Sequence, residues 1–172
     1  MKFYKIIFFN TLILGTLISV SSYSWLSMWL GLEINLLSII PLMSVKKNIF
    51  CTESIMKYFI SQAMASMMFL FSITLIPLIT NLNTPLNFLI LLLNSSLLMK
   101  MGAAPFHFWF PQVMEGLTWN LGLIMLTWQK IAPFIIISYN LQFSPMFYLI
   151  IISSSLIGSI LGLNQISLRK LL

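Results

Sequence analysis

The sequence predicts an all-α fold, a polytopic transmembrane helix bundle of about six spans. Three observations carry this expectation. Hydrophobic residues make up 59% of the 172 residues and charged ones 7%, whereas a soluble domain carries about 25% charged residues. The mean hydropathy of +1.00 points the same way. Apolar stretches of roughly 15–22 residues recur along the whole chain, against the ~20 that a helix needs to cross a bilayer. Barrel strands would alternate and run to about ten residues, which this pattern does not do. No linker and no sequence period divides the chain, so residues 1–172 read as a single transmembrane domain.

Taken in order, the first span is expected at Lys5–Val20 and the second at Trp25–Met43. The third begins at Thr52, the candidate N-cap, and runs to Ile79. The fourth covers Leu86–Ala104, the fifth Leu117–Ser138 and the sixth Pro145–Leu163. Short connections fall at Ser21–Ser24, Ser44–Cys51, Thr80–Pro85, Pro105–Gly116 and Tyr139–Ser144. Met1-Lys2 and Lys5 ahead of an apolar run also resemble a cleavable secretory signal. Ser21-Ser22-Tyr23-Ser24 lacks the preferred small pair, however, and five further spans follow, so the first segment is expected to be a retained helix.

Charge placement orients such a bundle. With six crossings, Lys2, Lys5, Lys46, Lys47, Arg169 and Lys170 fall on one face, and the opposite loops carry no charge. The positive-inside rule then puts both termini on the cytoplasmic or matrix side. This explains the formal charge of +6 better than a nucleic-acid partner does, because no basic-aromatic groove is present.

Other functions are excluded by residue type. Cys51 is the single cysteine and His107 the single histidine, so these 172 residues cannot build an iron–sulfur or zinc site. Gly158 and Gly162 lie inside an apolar helix and not in a phosphate loop after a strand. No redox centre or cofactor site is expected in this chain. The abundance of Ile, Leu, Phe, Met, Asn and Ser, with 12 Met and 14 Phe, fits an AT-rich coding sequence such as that of an animal mitochondrion.

Three charged residues break the apolar pattern. Glu33, Lys100 and Lys130 each sit well inside a span, where a charge costs about 2.5–3.5 kcal/mol on insertion scales. Such residues mark ion or proton pathways. Pro105 and Pro133 lie within five residues of the two lysines and cannot donate to the carbonyls of Met101 and Gln129, which weakens each helix at the charge. Unit charges about 4 Å apart attract by about 4 kcal/mol at an effective dielectric near 20. Burial favours a neutral lysine and a nearby carboxylate a charged one, so approach or separation of Glu33 and Lys100 would control whether the lysine keeps its proton.

Lys130 has no obvious acidic partner, because Glu53 and Glu115 fall near segment ends. It lies about eight residues, or ~12 Å, from the far end of its span, too deep to snorkel. Thr127 and Gln129 are the candidates to support water beside it. His107 is a further candidate relay, because an imidazole can take up and release a proton, though a structural hydrogen-bonding role suits it equally. Trp109 and Trp119 read as interfacial anchors, Glu53 and Lys57 as a solvated i,i+4 pair, and Ser154, Gly158 and Gly162 as a stripe for close helix packing.

Four motifs carry a family resemblance: Trp29-Leu30-Gly31-Leu32-Glu33-Ile34-Asn35; Lys100-Met101-Gly102-Ala103-Ala104-Pro105-Phe106-His107-Phe108-Trp109-Phe110-Pro111 with Glu115-Gly116; Leu126-Thr127-Trp128-Gln129-Lys130-Ile131-Ala132-Pro133; and Gly162-Leu163-Asn164-Gln165 through Leu168-Arg169-Lys170-Leu171. Together they resemble the subunit 2 family of mitochondrial NADH:ubiquinone oxidoreductase, respiratory complex I, in an insect or arthropod form. The resemblance implies an antiporter-like, proton-translocating subunit of the membrane arm, in the mitochondrial inner membrane with its N-terminus on the matrix side. It implies that Glu33 pairs with Lys100 on a broken helix near Lys100–Pro105, and that Lys130 passes protons toward the subunit centre. The partners it implies are the other membrane-arm subunits and the lipid bilayer. NADH, FMN, iron–sulfur clusters and ubiquinone would then belong to the holo-complex. Members of the family continue past the Leu-Arg-Lys-Leu motif, so the chain is expected to be an N-terminal portion. Two other classes remain open at this stage: a free-standing cation/proton antiporter, and a structural membrane spacer whose buried charges fix helix register.

Overall fold

The computed structural model describes residues 3–44, 49–81, 87–140 and 145–171. They form helices α1 (Phe3–Ser21), α2 (Trp25–Met43), α3 (Ile49–Asn81), α4 (Asn87–Met101), α5 (Trp109–Gly116), α6 (Trp119–Leu126), α7 (Trp128–Tyr139), α8 (Pro145–Leu163) and α9 (Leu168–Leu171), with no strand among the described residues. By length and composition, α1, α2, α3 through Leu78, and the α6–α7 stretch are long and apolar enough to cross a membrane; Phe88–Met101 and Phe147–Leu163 are shorter apolar helices.

The bounds of α2 and α8 coincide with the expected spans. Ser24 caps α2 by accepting from the Ser27 N–H at 3.3 Å. At α3 the expectation fails: the helix begins at Ile49, and Thr52 sits inside its first turn, returning its hydroxyl to the Ile49 carbonyl at 2.8 Å. Thr52 therefore satisfies a carbonyl within the helix and does not cap it.

α1 and α2 cross closely, and glycine makes the crossing possible. A Cβ on Gly31 would lie 2.6 Å from the Ser19 nitrogen, so only hydrogen fits there. The stripe expected to play this part, Ser154-Gly158-Gly162 on α8, does not: a Cβ at Gly158 or Gly162 would meet nothing within 4 Å. Its spacing matches a packing motif, but the described residues supply no facing helix.

Two interrupted passages run through the bundle. The middle of α4 neighbours the end of α7, where Asn140 Nδ2 donates to Asn94 Oδ1 at 2.9 Å. Gly116, at the end of α5, lies against Phe50 and Ser54 at the start of α3. α4 and α5 thus traverse the bundle in two pieces. α6 and α7 return across it, with the Tyr139 hydroxyl donating to the Val20 carbonyl at the end of α1.

Two apolar clusters form the interior. One contains Leu12, Ile39, Met43, Tyr58, Val113 and Met125. The other contains Leu32, Phe69, Leu97, Leu98, Ala132 and Ile136. Glu33, Lys100 and Lys130 fall between them on α2, α4 and α7, so apolar side chains lie both above and below the charges. Lys5 and Arg169 both border grooves that share Thr118, which sets them at the same end of the bundle. Lys170 follows Arg169 in α9, while Lys2, Lys46 and Lys47, the remaining members of the expected basic face, lie outside the described residues.

Candidate proton-relay site

The site is built where two helices stop short. α4 ends at Met101 because Gly102 adopts φ +73, a left-handed conformation that glycine takes without steric cost. The Gly102 N–H donates to the Met99 carbonyl at 3.2 Å and the Ala103 N–H to the Leu98 carbonyl at 3.1 Å. This is the reversed hydrogen-bonding of a Schellman cap. The helix was expected to reach Ala104 and be weakened by Pro105. Instead it is over before Pro105, which lies in the following turn after a cis peptide bond. Two side chains hold this helix end: Gln62 Nε2 donates to the Lys100 carbonyl at 3.4 Å and Trp109 Nε1 to the Met99 carbonyl at 3.2 Å, and the Trp109 ring in turn packs on Tyr58. Trp109 therefore packs into the site and ties down the end of α4.

The second break lies at Thr127, with φ −105 and ψ −71, and not at the Gln129–Pro133 step. Pro133 remains inside α7, one and a half turns later. Its ring lacks an N–H and crowds the Gln129 carbonyl, and the helix takes up the misfit in the preceding turn, where the Lys130 N–H bonds to the Thr127 carbonyl at 3.2 Å. The Thr127 hydroxyl returns to the Leu123 carbonyl on an exposed face, so Thr127 does not serve the site as expected.

Lys100 Nζ lies 3.9 Å from Glu33 Oε1, with the lysine side chain 4% and the glutamate 22% exposed. That distance is within ion-pair range and longer than the about 2.9 Å of a direct hydrogen bond. Lys100 and Lys130 line one cavity of about 20 Å³, together with Asn35, Tyr58, Gln62 and Gln129. About 10–15 Å³ suffices for one water, given two to four polar partners. Gln129 Nε2 is buried without a protein hydrogen-bond partner, so with the two lysines the lining can supply such partners. The Lys130 ammonium stands 4.5 Å from the centroid of the Phe110 ring, a cation–π contact in place of an acidic partner.

Of the four expected residues, three come together and one does not. His107 faces a separate cavity of about 240 Å³ between the α4–α5 turn and α8, shared with Gly102, Ala104, Gln165 and Lys170. Both of its ring nitrogens are buried without a partner, and its ring lies against Phe108 with centroids 4.4 Å apart. Among the described residues no group of three or more His, Cys, Asp or Glu gathers. Cys51 is buried, and its Sγ–H donates to the Met43 carbonyl.

The sequence reading missed Asn35, Tyr58, Gln62 and Phe110. For α3 a signal was present: Ser54, Tyr58, Ser61, Gln62, Ser66 and Ser72 recur at helical spacing on one buried face. Each of its serines returns its hydroxyl to the carbonyl three residues back, leaving Tyr58 and Gln62 to serve the cavity. The attachment of α9 was also missed. Arg169 donates to the carbonyls of Glu115 and Leu117 and lies over Trp119, while Lys170 pairs with Glu115 at 2.7 Å.

Fold and site define a class: a polytopic membrane helix bundle with two lysines near helix interruptions, one buried beside a glutamate and one half-buried. Comparison with known proteins narrows it. A family profile described as "NADH:quinone oxidoreductase/Mrp antiporter, TM" matches residues 22–172, and the chain belongs to that family. NADH-ubiquinone oxidoreductase chain 2 of Aedes aegypti is 59% identical over 169 residues, and that of Anopheles gambiae 56% identical over 169 residues; each match covers 96% of this chain and 49% of the relative. A chain in the structure of respiratory complex I from Thermus thermophilus with bound aureothin superposes with a TM-score of 0.89 at 28% identity, over 99% of this chain and 42% of that one. The chain spans about half the length of the curated relatives it matches.

Proposed function

We propose that this chain contributes a proton path to the membrane arm of a mitochondrial NADH:ubiquinone oxidoreductase, as an antiporter-like subunit. Electron transfer from NADH to ubiquinone, with FMN and the iron–sulfur clusters, takes place in other subunits, and this chain holds no redox centre. It sits in the inner membrane as a multi-pass protein with about six crossings and its N-terminus on the matrix side. The positive-inside rule and the common end shared by Lys5 and Arg169 support that orientation.

One observation carries the reading. Lys100 and Lys130, from helices α4 and α7, line a single water-sized cavity, and Glu33 stands 3.9 Å from Lys100. Approach of Glu33 stabilises the charged Lys100, and its withdrawal releases a proton toward the cavity and Lys130. Apolar clusters on either side keep bulk water from short-circuiting that step. His107, beyond Phe110, is a further relay group on this reading.

The experiment is Lys100→Met in the full-length chain within its assembled complex, measuring protons moved per electron. A lowered ratio with assembly retained is expected. An unchanged ratio would instead mean a spacer whose charges fix helix register. Copurification with redox subunits separates the complex subunit from a free-standing cation/proton antiporter.

A further inference from the structure

Phe110 lines both the cavity of Lys100 and Lys130 and the larger cavity of His107. Its position is fixed from several sides. Its N–H donates to the His107 carbonyl at 3.0 Å, and its ring meets the Trp109 ring edge-on, with centroids 5.5 Å apart at 83°. The turn at Gly102 packs against this segment, since a Cβ there would lie in ordinary contact with Phe110 Cβ at 3.5 Å and 3.3 Å from Trp109 Cζ2. The ring also faces the Lys130 ammonium, 4.5 Å from its centroid. One side chain thus both holds a half-buried cation and borders the space behind it.

We propose that Phe110 is a positioning residue that keeps the Lys130 ammonium on the Lys100 side and partitions the two cavities. This rests on the relay reading above. The π-face holds the cation without taking its proton, as a carboxylate at the same place would. While the ring stays in place, no line of water joins Lys130 to His107. When it rotates, a proton that leaves Lys130 Nζ, restoring the amine lone pair, passes by way of water to a ring nitrogen of His107. Passage between the cavities therefore depends on a ring movement, separate from the Glu33–Lys100 step.

The test uses F110L, F110A and F110Y in the full-length chain, in sealed vesicles holding the assembled complex, with K130M as control. Two quantities are read: protons moved per electron, and passive proton leak with the redox reaction stopped. F110L keeps an apolar wall but loses the π-face, and the number of protons moved per electron is expected to fall toward the K130M value. F110A is expected to raise the leak severalfold, and F110Y to restore wild-type values of both. Wild-type pumping and leak in both F110L and F110A overturn the proposal, and if K130M has lost pumping in the same vesicles the relay reading survives. Loss of assembled complex in F110L also overturns it, because the ring is then a packing element. Normal pumping in K130M overturns the relay reading instead, while a raised leak in F110A still supports the partition.

Discussion

Glu33 and Lys100 stand 3.9 Å apart between two apolar clusters, close enough to attract but too far to share a hydrogen bond. A buried pair of this kind is strongly destabilising when one partner is removed, and much less so when both are.

Glu33→Gln is accordingly expected to cost about 3 kcal/mol by leaving the Lys100 charge uncompensated. Thermal denaturation of the assembled complex measures this. Glu33→Gln combined with Lys100→Met is expected to recover most of the stability while pumping stays lost. Recovery of both would detach the pair from proton transfer.

Gly102→Ala is expected to destabilise by about 1–2 kcal/mol, since φ +73 is costly for any residue with a Cβ. Gly102→Asn should cost less, because Asn tolerates the left-handed region. Paired melting curves check the order, and equal losses would refute the helix-end explanation.

Gly31→Leu should separate α1 from α2, because its side chain would enter the backbone of Ser19. Overpacking of this kind costs about 1–3 kcal/mol. Gly158→Leu, on α8, meets nothing within 4 Å and should be nearly neutral in the described part of the molecule. Melting temperatures of the two variants compare them directly.

Glu115 and Lys170 form a tight but half-exposed ion pair at 2.7 Å. A double-mutant cycle on Glu115→Gln and Lys170→Met should return below about 1 kcal/mol of coupling, the usual range for exposed pairs. Arg169→Ala should cost more than Lys170→Met, because it strips the donors from two carbonyls at the end of α5.

What could be read ahead of the structure was set by local signals. α2 and α8 are mainly apolar runs bounded by polar residues, and their ends coincide with expectation. The charges at Glu33, Lys100 and Lys130 stood out because lipid makes each of them costly. The break expected near Lys100–Pro105 falls within that stretch, whereas the one expected at Pro133 lies earlier. Gly102 ends α4 before Pro105 acts, and the misfit created by Pro133 surfaces at Thr127. The eight-residue α5 was hidden in a turn-like run of aromatics and prolines. Contacts that depend on folding across sequence distance gave no signal at all: Phe110 under Lys130, Lys170 on Glu115, and His107 parted from the lysines by one ring.

The most direct test of a shared route is the number of protons moved per electron in Lys100→Met, Lys130→Met and the double variant, each in the full-length chain within its complex. Residues acting through one cavity are non-additive, so the double variant should pump no less than the poorer single one. Losses that add, or a wild-type ratio in either single variant, would contradict a common path through Lys100 and Lys130.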